Sequence, residues 1–599
     1  MNQNRALLLF AWVAVAILLA FEWTRFTATP PAPPAPVEVP APALPGADAV
    51  PSDAVPSAAL PAAASAAAAS TAAVPADAVP AAAVQAEAVL VGALPGAAAL
   101  PPTASTDIGP TREVLTDVLR LRIDARGGAV VFAELLDYPV DQENPEGGNV
   151  VLLSPEAASF DVAQSGFIGA GPGPDALYAF EGGAGPLALA EGQDRLEVPL
   201  VWRDAATGLT VRKVYTIERG SYALRVRHEV RNEGASAFSG HLLRQLVRVP
   251  PPPPPKTAMF TNPESFSFVG AAWYSPQDHF EKRKFADFAA DGPLNKDVTG
   301  GWISLLQHHF LSAWVPTQAD AQRFSLEALP GNRFAVRSVA AATVVPPGGS
   351  AVSEATLWVG PKLQAPMDEV HPSLPLSLDY GIFSFLAQPL FWVLNWLHGL
   401  FGNWGWSIIG IVVIIKLLLY PVSAKQYQSM ARMRAVAPRI EQLKERYGED
   451  RMKFNQAMME LYQKEKINPL GGCLPMLIPI PIFLALYWVL LESVELRQAP
   501  WILWIDNLTA PDPLFILPAL NLAVMWATQK LTPSPGMDPV QKKVLQWMPV
   551  VFGIMFAFFP SGLVLYWLTN GVLGLAQQWW MTKRYGGPTA PTPALAKAK

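Results

Sequence analysis

Between residues 111 and 366 apolar and polar positions tend to alternate. In 222–232, Leu224, Val226, His228 and Val230 interleave with Arg225, Arg227, Glu229 and Arg231, the period of two that puts one set on each face of a half-buried strand. Residues 209–218 read as its neighbour, Gly and Pro punctuate the whole region, and helical periodicity is scarce. The pattern predicts a large antiparallel β-sandwich. From residue 404 the alternation gives way to apolar runs at 404–424, 473–491, 514–528, 544–559 and 563–581, each read as a membrane-spanning helix. The runs 514–528 and 544–559 hold fifteen and sixteen residues. At ~1.5 Å per residue they reach ~22–24 Å against a hydrocarbon core of ~30 Å, which favours local thinning of the bilayer.

Two further apolar stretches behave differently. Residues 6–21 follow Arg5 and suit either a signal-peptide core or an uncleaved anchor; the bulky, charged Glu22 to Phe26 in place of small residues favours the anchor. In 381–400 the polar residues Ser384, Gln388, Asn395 and His398 fall near one stripe, as in a helix lying in the membrane interface rather than crossing it. Trp392, Trp396, Trp404 and Trp406 then mark one aromatic belt. The basic segment 425–466 reads as a helical hairpin. Pro438 suits a first helical turn, Ile440, Leu443 and Tyr447 form an apolar face, Gly448 ends that helix, and Met452, Met458, Met459, Leu461 and Tyr462 line a second one. Methionines at this spacing serve either packing or a docking surface for cytosolic partners.

Composition and charge turn this list into a topology. Pro 60 in 599 residues is high, and the Ala/Pro/Val-rich stretch from Pro30 to about Pro102 lacks the apolar surface to fold and reads as a disordered tether. A single cysteine, Cys473, excludes an internal disulfide and a Cys-rich metal centre. Lysines and arginines crowd 425–466, with Lys530, Lys542, Lys543, Lys583 and Arg584 on the same side if the five runs span, so by the positive-inside rule that side is cytoplasmic. The expected chain is a polytopic α-helical membrane protein of six spans with both termini in the cytoplasm and a large β-sandwich outside it. Its parts are an anchor (1–27), a disordered linker (28–107), the sandwich (108–370), an interfacial amphipathic helix (371–403), a five-span core (404–582) carrying the cytoplasmic hairpin (425–467), and a tail (583–599).

The chemistry that stands out is Lys416, inside the run 404–424. An ammonium near the centre of a span costs roughly 2.5–3.5 kcal/mol on the lenient scale, and this one lies on the order of 12 Å from the end of the run, farther than its stem can snorkel. Tyr420 and Ser423 follow at i+4 and i+7 and extend a polar stripe toward the cytosol. Asn521, Thr528, Asn570, Gln577 and Gln578 fall on the same half of the membrane, and Pro475, Pro479 and Pro481 interrupt the cytoplasmic half of the third span. A hydrophilic groove open to the cytosol follows, and nothing comparable marks the other half. His308 and His309 are expected on opposite faces of a strand and are set aside as metal or catalytic residues. The sequence carries no nucleotide-binding signature, and no cofactor, metal or nucleic acid is expected.

The stretches 468–473 (NPLGGC), 481–486 (PIFLAL), 493–500 (SVELRQAP) and 559–566 (FPSGLVLY) resemble the YidC membrane protein insertases of Gram-negative bacteria, within the YidC/Oxa/Alb family. The resemblance implies a periplasmic β-supersandwich and an inner-membrane groove that inserts and helps fold nascent membrane proteins, alone or with the Sec translocon. It implies Lys416 as groove charge and Tyr420, Ser423, Pro479, Phe483, Asn521, Tyr566, Trp567 and Asn570 as groove lining. It also implies a docking hairpin bearing Met430, Met433, Met452, Met458 and Met459, with the ribosome, the Sec translocon and membrane lipids as further partners. Lys416 stands where the family usually has arginine, Pro479 where a glutamine is expected and Trp567 where a second tyrosine is expected, so the groove is less polar than the family pattern. The competing readings are a secondary transporter with Lys416 as coupling or anion site, and an anchored carbohydrate-active enzyme; neither an internal repeat nor a paired-carboxylate motif supports them. No enzymatic activity is expected.

Overall fold

Period-two patterning becomes two stacked sheets. In the strand Ala223–Asn232 the residues Leu224, Val226, His228 and Val230 are buried, and the strand pairs antiparallel with Leu209–Glu218 on one side and Ser350–Pro361 on the other. The computed structural model describes residues 108–585 except 142–143, 253–266, 289, 293, 448–449, 466–478 and 532–538. The anchor, the linker, Cys473, Pro475, the 468–473 stretch, Gly448, most of the tail, and the side chains of Met430, Met433 and Pro479 lie outside what is described. One sheet has nine strands and the other ten, the latter with Phe238–Arg248 flanked by Asp161–Gly169 and Arg333–Val345. Trp302, Trp314, Trp358, Tyr215 and Phe324 fill the space between them. Each such ring removes ~150–250 Å² from water, worth ~4–6 kcal/mol at ~25 cal/mol per Å². Pairing is antiparallel apart from Thr111–Leu115 beside Leu187–Ala188.

His308 and His309 depart from expectation. The strand Trp302–Leu306 ends before them, and the Gln307 N–H donates to the Phe310 carbonyl at 2.9 Å to close a turn. The two rings therefore stack on each other, 3.7 Å between centroids, instead of pointing to opposite faces.

Nine α-helices follow among the described residues: α1 (Gln364–Val370), α2 (Ser384–Phe401), α3 (Trp404–Leu418), α4 (Tyr420–Tyr447), α5 (Arg451–Lys464), α6 (Pro479–Glu492), α7 (Ile516–Leu531), α8 (Pro539–Phe556) and α9 (Ser561–Tyr585). α2 ends at Gly402, whose φ of +64° favours glycine, and Asn403 caps α3 by accepting from the Trp406 N–H at 3.2 Å. α2 buries Ala387, Phe391, Leu394 and Leu397 and leaves Phe385, Trp392 and Trp396 exposed beside Gln388 and Asn395.

Two helix boundaries correct the sequence reading. The run 404–424 is not one helix, because it breaks at Leu419. Pro421 lacks an N–H to give to the Leu417 carbonyl, so α3 stops, the chain turns at Leu419, and α4 restarts at Tyr420 with that proline in its first turn. Pro438, in contrast, begins nothing; it sits exposed inside α4, which continues unbroken to Tyr447. Among the described residues no helix is long and apolar enough to cross a membrane. α3 holds fifteen residues, α6 starts where the undescribed 466–478 ends, and α8 and α9 carry lysines toward one end.

Candidate functional site: a helix bundle around Lys416

α9 is the common wall of the bundle, packing against α3, α4, α6 and α7. Lys416, half-buried near the end of α3, aims its amine at α9: a Cβ built on Gly574 would lie 3.3 Å from Nζ. One turn earlier Gly571 admits Val524 of α7 so closely that a Cβ would meet its Cγ1 at 2.9 Å. This glycine pair, spaced by three along one helix face, was not singled out from the sequence, although small residues at that spacing are the ordinary device for close helix approach in lipid.

Toward the other end of α9, Trp567 meets Phe483 of α6 edge-on at 4.7 Å and Phe556 of α8 at 5.4 Å, while Tyr566 stacks on Phe483 at 6.1 Å. Tyr566 is only 3% exposed, which makes it part of the packed interior, whereas Phe483, Trp567 and Asn570 are half-buried. Asn570 lies one turn from Trp567 and one turn from Gly574, so α9 carries an aromatic, amide and lysine-facing stretch in sequence. Asn521 is fully buried on α7; its Nδ2 lies 3.9 Å from the Met525 sulfur and its Oδ1 has no partner among the described residues. Tyr420 and Ser423 do not continue the lysine's helix, since the break at Leu419 puts them on α4, where Tyr420 is 40% exposed. The structure thus brings Lys416 to α9 and Phe483, Tyr566 and Trp567 together, and leaves Tyr420 to the side.

In the hairpin, Val436 and Ile440 of α4 bury against Tyr462 of α5, with Phe454, Met458 and Leu461 packed around them and an Arg439–Glu465 ion pair at 2.6 Å. Met458 is a packing residue, while Met452 and Met459 face outward.

A second constellation ties the β-sandwich to the bundle. His308 donates from Nε2 to the Leu491 carbonyl at the end of α6, 2.8 Å away. Arg497 donates to the carbonyls of Pro139 and Val140 at 2.9 and 3.1 Å, and Gln498 to that of Val140 at 3.0 Å. Lys362 and Glu492 face each other at 3.9 Å, both buried, and Tyr380 lies 3.4 Å from the Ser493 hydroxyl. Burial holds Lys362 below the usual lysine range against the pull of Glu492, and pushes Glu495 up to about 7. Burial and the nearby Lys362 bring His308 down to about 3. Ser493, Arg497 and Gln498 belong to the SVELRQAP stretch, so the only signal in the sequence was the motif itself, without a role.

Comparison with known proteins bears on both halves. Residues 396–587 match the family described as 60Kd inner membrane protein, and residues 111–393 the YidC periplasmic domain. The chain is 49% identical over 613 residues to a membrane protein insertase YidC of Stenotrophomonas maltophilia, covering all of both chains. It is 48% identical over 600 residues to one of Xanthomonas campestris pv. campestris, covering 98% of each. A crystal structure of an active YidC insertase with its first transmembrane domain resolved aligns with 79% of this chain and 94% of its own, at 18% identity and a TM-score of 0.35.

Proposed function

The chain belongs to the YidC family of membrane protein insertases of the inner membrane, and on that footing we propose that its bundle takes up nascent membrane proteins through a cytosol-open groove centred on Lys416. The observation that carries the groove is the half-buried amine directed at Gly574, in a helix otherwise apolar from Ile408 to Leu418. An amine held there keeps its surroundings wet and attracts acidic or polar parts of an incoming segment. At 4 Å a charge pair is worth ~1 kcal/mol in bulk water and ~4 kcal/mol at an effective dielectric of ~20, so the attraction biases clients without trapping them. Phe483, Trp567 and the buried Tyr566 form the apolar end that receives the hydrophobic part of the client. Six spans with both termini in the cytoplasm, work beside the Sec translocon, and docking of ribosomes on the outward Met452 and Met459 complete the reading. With no nucleotide site in the sequence, insertion draws on client hydrophobicity and the membrane potential.

The test uses paired clients that differ by one translocated Asp. Lys416→Arg retains insertion of both, whereas Lys416→Leu slows the Asp-bearing client more than its apolar twin. Equal slowing of the two removes the electrostatic role, and no slowing of either reduces the amine to a snorkelling surface charge.

A further inference from the structure

Within the β-sandwich, a layer of polar side chains crosses the interior between the two sheets. In the ten-stranded sheet Ser165, Arg244 and Ser338 are register partners across Asp161–Gly169, Phe238–Arg248 and Arg333–Val345. In the nine-stranded sheet Lys213, His228 and Ser353 are register partners across Leu209–Glu218, Ala223–Asn232 and Ser350–Pro361. The two rows meet. Lys213 Nζ donates to the carbonyls of Gly127 and Ser165 at 2.9 and 3.3 Å, the Ser165 hydroxyl lies 3.3 Å from His228 Nε2, and Arg244 Nη2 donates to the Ser353 hydroxyl at 2.9 Å and the Glu354 carbonyl at 3.3 Å. Lys213, Ser165 and Arg244 are 0% exposed and His228 is 1% exposed.

The layer is short of acceptors and of negative charge. Arg244 Nε and Nη1 and His228 Nδ1 have no hydrogen-bond partner among the described residues. Neither Lys213 nor Arg244 forms an ion pair among them, and Asp320, half-buried, acts on Arg244 only from a distance. Buried charges are ordinarily paired or neutralised, because desolvation costs several kcal/mol per ion. Lys213 has the second route: burial, with Arg244 adding to it, brings it down to about 7. Arg244 does not, since at about 10 it stays charged at neutral pH. Water can accept from its orphaned N–H groups but cannot offset its charge.

We propose that the Lys213–His228–Arg244 layer binds a small monovalent inorganic anion, of which chloride is the probe, between the two sheets of the β-sandwich. The site is small: the rows already touch through Ser165 and Ser353, and a Cβ on Gly128 would lie 3.0 Å from the Lys213 Cδ. The anion accepts from Arg244 and His228 and holds Lys213 protonated, which strengthens its bonds to Gly127 and Ser165.

The experiment follows thermal unfolding of the full-length protein in detergent by tryptophan fluorescence, with chloride titrated against gluconate at constant ionic strength. A ligand that binds the folded state alone raises Tm in a saturable way. The wild type shows that rise, and Lys213→Met and Arg244→Met lose it. A wild type indifferent to exchange of chloride for gluconate overturns the proposal, as does a rise that survives undiminished in both variants, which assigns it to another site. Should the variants fail to fold, crystals of the wild type soaked in bromide decide: an anomalous peak between Arg244 and His228 supports the site, and water density there refutes it.

Discussion

Proton uptake by His308 has to occur beside His309, Lys362 and Arg497, with the ring already donating to the Leu491 carbonyl. Its value of about 3 in the folded protein lies below the 6.5 of a free histidine, so between those limits the unfolded chain binds more protons and stability falls as pH falls. Above 6.5 the residue contributes no slope. From pH 6.5 to 5 the loss amounts to at most about 2 kcal/mol for one proton. His308→Gln retains a donor but cannot titrate, so its urea midpoint is expected to drop less between pH 7 and 5 than that of the wild type. Equal drops would place the acid sensitivity elsewhere. The junction residues were illegible beforehand for a physical reason: Arg497 bonds a strand 358 positions away, and nothing near either residue announces the pairing.

At the scale of one helix, Gly571 and Gly574 of α9 make opposite predictions from similar surroundings. Replacing glycine by alanine inside a helix gains roughly 0.5–1 kcal/mol, while overpacking costs ~1–3 kcal/mol. At Gly571 the new methyl meets the stiff, branched Val524 at 2.9 Å, so overpacking wins and Gly571→Ala lowers Tm in detergent. At Gly574 it meets the end of the flexible Lys416 side chain at 3.3 Å, which moves aside. Gly574→Ala therefore leaves Tm unchanged or raised, yet displaces the groove amine and slows insertion of Asp-bearing clients. A fall in Tm for Gly574→Ala, or none for Gly571→Ala, contradicts the packing argument. Strands such as Ala223–Asn232 were legible because alternation is local, and Lys416 because a charge in an apolar run is conspicuous. The break before Tyr420 was written in Pro421 but masked by the apolar run around it, and the burial of Tyr566 depends on neighbours from α6 that spacing along α9 does not reveal.

For the molecule as a whole, the orientation rests on the basic segment 425–466. In a Cys473→Ser background, cysteines introduced at Ser429 and Gly586 are expected to be shielded from an impermeant thiol reagent in intact cells, and one at the exposed Ala205 to react. Labelling at Ser429 would invert the topology and move the mouth of the groove to the other side. The interruption at Leu419 has a mechanical meaning in that setting. Beyond it α4 runs for 28 residues, ~42 Å at ~1.5 Å per residue, with α5 packed on the stretch around Val436 and Ile440. A rotation of ~10° at the break would carry the far end of α4 through ~7 Å, more than a ~5.4 Å helical turn, while Lys416, three residues before it, would barely move. In the proposed orientation the hairpin is the long outer limb of a lever and Lys416 sits on the short inner one, so a large swing outside would correspond to a small adjustment beside the amine.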